Sequence, residues 1–165
     1  MKGIIASNTS WSIYNFRLNL IDHLNSKGIE ISTITSDEEY SHKIPAKNFP
    51  FLPNSQSLNL LLILSSLMKT YFFLKRMNFD FFMTFTVRTS IEIAILNIFI
   101  RKPLFMTING LGVLNKGENS FLGYLLRNML RIIIPFAKVE KLFFQSDKNL
   151  EFFIKNKIIP SKINT

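Results

Sequence analysis

Residues 2–17 read KGIIASNTSWSIYNFR, from Lys2 to Arg17. The oily run Ile4-Ile5-Ala6 has the length and composition of a buried strand. It opens onto hydroxyls, an amide and Trp11. Ser12 then reads as a helix N-cap, and Ile13, Phe16, Leu20, Ile21 and Leu24 keep helical spacing until Gly28 closes the helix. A strand that ends in polar residues and turns directly into an amphipathic helix is the first half of a β–α unit. Its polar end is where such units meet ligands.

The same alternation continues along the chain. Residues 29–36 (IEISTITS) alternate apolar and polar side chains and read as a second strand. Asp37, Glu38 and Glu39 suit the start of a short helix, because acidic groups complement the dipole there. Pro45, Pro50 and Pro53 make residues 45–56 a strand-and-loop passage. A long helix is expected at about 57–77, a strand at 79–86, a helix at 89–100 and a strand over 103–108. A helix at 120–137, loosened near its end by Pro135, precedes a strand at 141–146 and a short helix starting at Asp147. Repeated β–α units with continuously apolar strands imply an α/β fold, with a parallel sheet covered on both faces by helices. The strand ends SNTSWS, TSDEE, TFTVRTS and INGLG are rich in hydroxyls, amides or glycine, whereas the strands before them are oily.

Length and composition narrow the function. A chain of 165 residues fits one domain and can bury a core without staples. With no cysteine, disulfides, thiol catalysis and zinc–thiolate sites are excluded. His23 and His42 have no ligand spacing, so no metal is expected. Residues 1–50 carry five basic and five acidic side chains, while residues 51–165 carry fifteen and six, which accounts for the whole net charge of +9. A basic, aromatic-rich half points to a phosphate-bearing or anionic-surface partner. Nucleic acid fits poorly, because the cations lie on oily helices rather than in a polar stripe. No apolar stretch reaches the ~20 residues that span a bilayer.

Several residues invite a functional reading beside a structural one. Arg17 falls on or beside the buried stripe of its helix, where it either snorkels or pairs, or else meets an anionic substrate. Thr86 and Arg88 follow the fourth strand, and Arg88 is either solvated or an anion and sugar contact. Asn109, Gly110 and Gly112 form NGLG, a plain turn or a close backbone approach to a ligand. It lacks the third glycine of a dinucleotide fingerprint and the Gly-Lys-Ser/Thr of a phosphate loop. On the helix at 120–137, Tyr124, Arg127, Asn128 and Arg131 share a narrow polar face. On the helix at 57–77, Lys69 and its basic neighbours do the same. Lys69, Arg127 and Arg131 would serve an interfacial helix on anionic lipid, or simply edge a buried one. No Ser–His–Asp order with a nucleophile elbow is present, and no catalytic residue is assigned.

Taken together, NTSWSIYNFRLNLIDHLNSKGIEISTITSDEEYSHKI, FTVRTSIEIAI and TINGLGVL resemble the N-terminal domain of family 4 glycosyltransferases. The likeness is strongest to bacterial enzymes that extend a glycan on a polyprenyl-diphosphate carrier. It covers essentially the whole chain, residues 1–165. Arg88 stands where that family commonly has a lysine. The resemblance implies a Rossmann-like lobe, one of two in a GT-B enzyme, whose partner lobe binds the nucleotide-sugar and carries a Glu-x7-Glu motif. On the resemblance that C-terminal donor-binding lobe is expected to be missing from this chain, in which Glu140 and Glu151 are the last glutamates. The expected function is therefore the acceptor-binding half of a retaining, metal-free glycosyltransferase acting on a lipid-linked or surface-polysaccharide glycan. It would need a nucleotide-sugar only together with the missing lobe, and would be inactive alone. On the resemblance Ser10 and Ser12 contact sugar or cap the helix, Trp11 packs on a sugar face or anchors on lipid, and Arg17 lies near anionic substrate. The expected place is the cytoplasmic side of the membrane, peripherally bound. A non-catalytic membrane-associated module, or half of a nucleotide-sugar epimerase, are the alternatives.

Overall fold

The computed structural model describes residues 1–53, 59–111 and 121–159. Six strands form one sheet in the order β3-β2-β1-β4-β5-β6, with helices flanking it. The strands are β1 (Lys2–Ala6), β2 (Glu30–Ile34), β3 (Lys47–Phe49), β4 (Phe81–Phe85), β5 (Leu104–Ile108) and β6 (Val139–Phe144). The pairs β1–β2, β2–β3 and β5–β6 all run parallel. This is the α/β, Rossmann-like parallel architecture expected from the alternation of oily strands and amphipathic helices. The chain divides into two compact units, Met1–Met83 and Thr84–Thr165.

In the first unit, Ile4, Ile5 and Ala6 are fully buried, as a strand covered on both faces requires. Gly3 belongs to this strand because a side chain would not fit. A Cβ there would lie 2.4 Å from the Phe81 ring and 2.9 Å from the Ile31 methyl. The first helix differs from expectation in two ways. Its cap is Thr9, whose hydroxyl accepts the Ser12 N–H, so Ser12 lies inside the helix. It is also two helices, α1 (Ser10–Phe16) and α2 (Leu18–Ser26), broken at Arg17 with φ −130° and ψ −1°. In a straight helix Ile13 and Ile21 would point about 80° apart. With the break between them, both are completely buried. The acidic run 37–39 starts no α-helix. A single 3₁₀ turn, Ser41–Lys43, follows it. The long helix α3 (Leu60–Arg76) is capped by Asn59, whose side chain accepts the N–H groups of Leu61 and Leu62.

In the second unit, α4 (Val87–Ile100) follows β4 after one residue, Thr86. Helix α5 (Phe121–Phe136) holds Pro135 in its last turn, and α6 (Asp147–Lys155) starts where Asp147 favours the helix dipole. The β5–β6 register slips between Leu104 and Phe105, so that Glu140 is skipped in the pairing. Asn97 is fully buried in α4. Its amide donates to the carbonyls of Lys102 (2.7 Å) and Ala137 (2.6 Å) and accepts the Lys102 N–H (3.0 Å). One side chain thus ties the end of α4 to the chain leaving α5. Among the described residues no helix is long and apolar enough to cross a membrane.

Candidate functional site

In the first unit the ends of β1, β2 and β3 carry a continuous hydrogen-bonded network of side chains. Asp37 is its anchor. Its carboxylate accepts both the Ser10 N–H, at 3.2 Å, and the Ser10 hydroxyl. The same hydroxyl accepts the Tyr40 N–H at 2.9 Å. Ser36 donates to the Asn8 carbonyl at 2.5 Å, and Ser7 donates to the Ser12 hydroxyl at 3.0 Å. Asn48, on β3, ties that strand to the end of β2 and the segment beyond it. Its amide donates to Thr35, to the Asp37 carbonyl and to Ser41, while its oxygen accepts from Thr33 at 2.8 Å. These bonds hold the turn between β1 and α1 in one shape, because each group in it already has a defined partner.

At its surface this frame carries four aromatic rings, Trp11 and Phe16 exposed and Tyr14 and Tyr40 half-buried, beside the exposed Glu38 and Glu39. Trp11 is 47% exposed and meets the exposed Phe16 edge-on, with centroids 5.5 Å apart. Tyr14 and Tyr40 stack at 5.5 Å, and the Lys43 ammonium sits over both rings at 5.4 and 5.1 Å. Flat rings held on a rigid turn suit the apolar faces of sugars, whereas hydroxyls with fixed partners do not.

The sequence-level candidates in this unit therefore separate. Ser10 is completely buried and committed to Asp37 and Tyr40, so it braces the turn instead of touching a sugar. Ser12 is half-buried against Ser7 and does not cap the helix. Trp11 is exposed on the first turn of α1. Arg17 is half-buried at the helix break, donates to the Phe16 carbonyl at 2.8 Å, and burial pushes its pKa down. Lys69 is exposed on α3. Asp37, Tyr40 and Asn48 were missed. The acidic run had a simpler local explanation, and the partner of Asp37 lies 27 residues away.

In the second unit the turn from β4 into α4 is strained. Thr86 has φ 73° and ψ 146°, a region that β-branched residues avoid and that costs roughly 1–3 kcal/mol. Beneath it the hydroxyls of Thr84 and Ser90 bond at 2.8 Å in a buried setting. Arg88 is half-buried on the first turn of α4 and pairs with Glu92 at 2.9 Å. Glu92 is buried, and that desolvation raises its pKa, with Arg88 opposing the shift. A carboxyl raised in the folded state contributes stability at pH below its unfolded value and loses it as pH climbs through the folded value. Stability should therefore fall as pH rises above the ordinary 4.5, and Glu92→Gln should remove that slope. Denaturant midpoints of the two proteins should lie closest at pH 4 and diverge toward pH 7, with only the wild type falling.

Asn109 is half-buried and Gly110 exposed, with open space where a side chain would stand. Gly112 lies outside the described residues. Arg127 does not share an exposed face with Arg131. It is buried, while Arg131 is exposed and donates to the Asn156 carbonyl and the Asn128 side chain. A buried guanidinium is not placed to reach a lipid headgroup. Among the described residues no three of His, Asp and Glu gather as metal ligands would.

A scan against protein-family models and a search of curated proteins each returned no match. Among solved structures the chain is similar to MurG from Acinetobacter baumannii, with a TM-score of 0.58 and 8% identity. The match covers 99% of this chain and 43% of that one, so the chain spans less than half the length of the protein it matches. At that identity the likeness is one of fold alone, a Rossmann-like α/β lobe.

Proposed function

We propose that the chain is the acceptor-binding lobe of a glycosyltransferase, which holds a lipid-linked or surface-polysaccharide glycan while a second lobe presents the nucleotide-sugar. The observation that carries the reading is the whole-chain likeness to less than half of MurG. The polar, aromatic-edged strand ends of the first unit support it, because parallel sheets receive ligands there. Trp11, exposed on the turn after β1, supplies a stacking face for a sugar ring. Taken by itself, the second unit carries Arg88, paired with Glu92, a guanidinium of the kind that binds phosphate. This lobe contributes binding and orientation. The transfer itself, in which an acceptor hydroxyl displaces nucleoside diphosphate from the donor sugar, belongs to the paired enzyme. The reaction would run at the cytoplasmic face of the membrane, where polyprenyl-diphosphate glycans are extended.

Titration calorimetry on the full chain tests this. A soluble diphosphate-linked oligosaccharide should bind, with Trp11→Ala weakening it about tenfold, in line with one lost aromatic stacking contact. Nucleotide-sugars should not bind. Tight binding of a nucleotide-sugar with no response to the oligosaccharide would overturn the assignment in favour of a donor-side lobe.

A further inference from the structure

Helices of the second unit end on cations where glycine is the usual residue. Arg101 after α4, Lys138 after α5 and Lys157 after α6 all take left-handed backbone angles, with φ 60°, 50° and 50°. Glycine enters that region without steric cost, as Gly28 does after α2 at φ 76°, whereas a residue with a side chain does not. The helix dipole favours cations in a last turn, but the last turns of α4 and α5 hold none. Arg101 and Lys138 lie beyond them and meet at one place. With Pro135 and Phe136 they line an open hollow of about 440 Å³, within the size range of small-ligand sites. The backbone fixes both positions. Asn97 joins the carbonyls of Lys102 and Ala137, the residues next to them, and the Lys138 carbonyl accepts the Leu104 N–H at 3.1 Å. Both cations are exposed. Among the described residues neither is in an ion pair, and no carboxylate lines the hollow. Two like charges are thus held together without a counter-ion, which costs energy until an anion arrives. Phe136 is 64% exposed and offers a bare ring beside them. These residues precede β5 and β6, so the hollow lies at the opposite strand ends from Asn109 and Gly110.

We infer that this hollow binds a small soluble phosphomonoester with a flat apolar body, its dianion between Arg101 and Lys138 and its body against Phe136 and Pro135. Charge selects the group. A doubly charged phosphate neutralises both cations, and the arginine presents a planar fork of donors to its oxygens. The exposed ring selects the body, because a flat apolar face stacks on it. A nucleotide-sugar has no monoester phosphate and does not fit. The site uses neither Trp11 nor Arg88, and it holds whatever glycan the first unit binds.

Titration calorimetry of the full chain with phenyl phosphate and with methyl phosphate tests it. Phenyl phosphate should bind about fivefold tighter, the increment of one aromatic contact. Arg101→Gln/Lys138→Gln should weaken it by about a hundredfold, the loss of two charge-assisted contacts. Phe136→Ser should erase the preference for phenyl over methyl phosphate and leave methyl phosphate binding as it was. All three positions are exposed, so circular dichroism should show folded proteins throughout. Failure of wild type to bind phenyl phosphate, equal affinity for the two esters, or phenyl phosphate binding that survives the glutamine pair overturns the inference. A glutamine pair that lowers the urea midpoint while phenyl phosphate affinity is unchanged would assign the cations to the helix ends alone. Trp11→Ala should leave phenyl phosphate binding untouched, which separates failure here from failure of the acceptor reading. A loss in that variant would move the phosphate to the first unit and overturn the site.

Discussion

Replacing Asn97 with alanine should lower the unfolding free energy by about 3–5 kcal/mol, the largest effect expected of any single polar substitution in the second unit. Asn97 is fully buried and makes three hydrogen bonds with backbone groups of Lys102 and Ala137. The variant loses all three. It also takes the side-chain donor from the Ala137 carbonyl, in a residue with no solvent exposure. Each made bond contributes about 1 kcal/mol net, and a buried group deprived of its partner costs about 1–3 kcal/mol more. Against a typical total of about 5–15 kcal/mol, such a loss approaches unfolding. Asn97→Asp separates hydrogen bonding from shape. It preserves volume and the acceptor oxygen but turns an oxygen toward two carbonyls, so it should be at least as harmful as alanine. Urea denaturation of both variants measures this, and a shift below about 1 kcal/mol for either would refute the staple.

The sheet was legible because its strands are oily runs that need no long-range information. Ile4-Ile5-Ala6, the alternation of residues 29–36 and the aromatic run before Thr86 each announce a strand locally. Asp147 announces α6 equally well. The candidate site was less legible, for a consistent physical reason. Thr9 and Ser12 are both good cap residues, and only the backbone turn decides between them. Arg17 looks like a stripe residue in an ideal helix, yet the helix breaks there. Arg127 and Arg131 are four apart and share a face by spacing alone, but packing buries one and leaves the other in solvent. Asp37 and Asn48 gain their roles from partners up to 27 and 15 residues away. Local pattern carries elements, and partner choice across the fold carries sites.

Asp37 is the test of that distinction in the first unit. Asp37→Ala removes the acceptor for both the N–H and the hydroxyl of Ser10, whose side chain is completely buried. Hydrogen bonds to a charged acceptor contribute about 1.5–3 kcal/mol each, so a loss of about 3 kcal/mol is expected. The turn that carries Trp11 should loosen with it, and oligosaccharide binding should weaken more than Trp11→Ala alone weakens it. Asp37→Asn retains an acceptor oxygen and should recover about half the stability and most of the binding. Ser12→Ala gives up a single half-buried contact with Ser7 and should cost no more than about 1 kcal/mol. Read locally, the serine belongs to the ligand and the aspartate to a helix start. The hydrogen bonds reverse that order. Equal losses for Ser12→Ala and Asp37→Ala would mean that the turn is held by its own backbone, and the aromatic surface would then need no clamp beneath it.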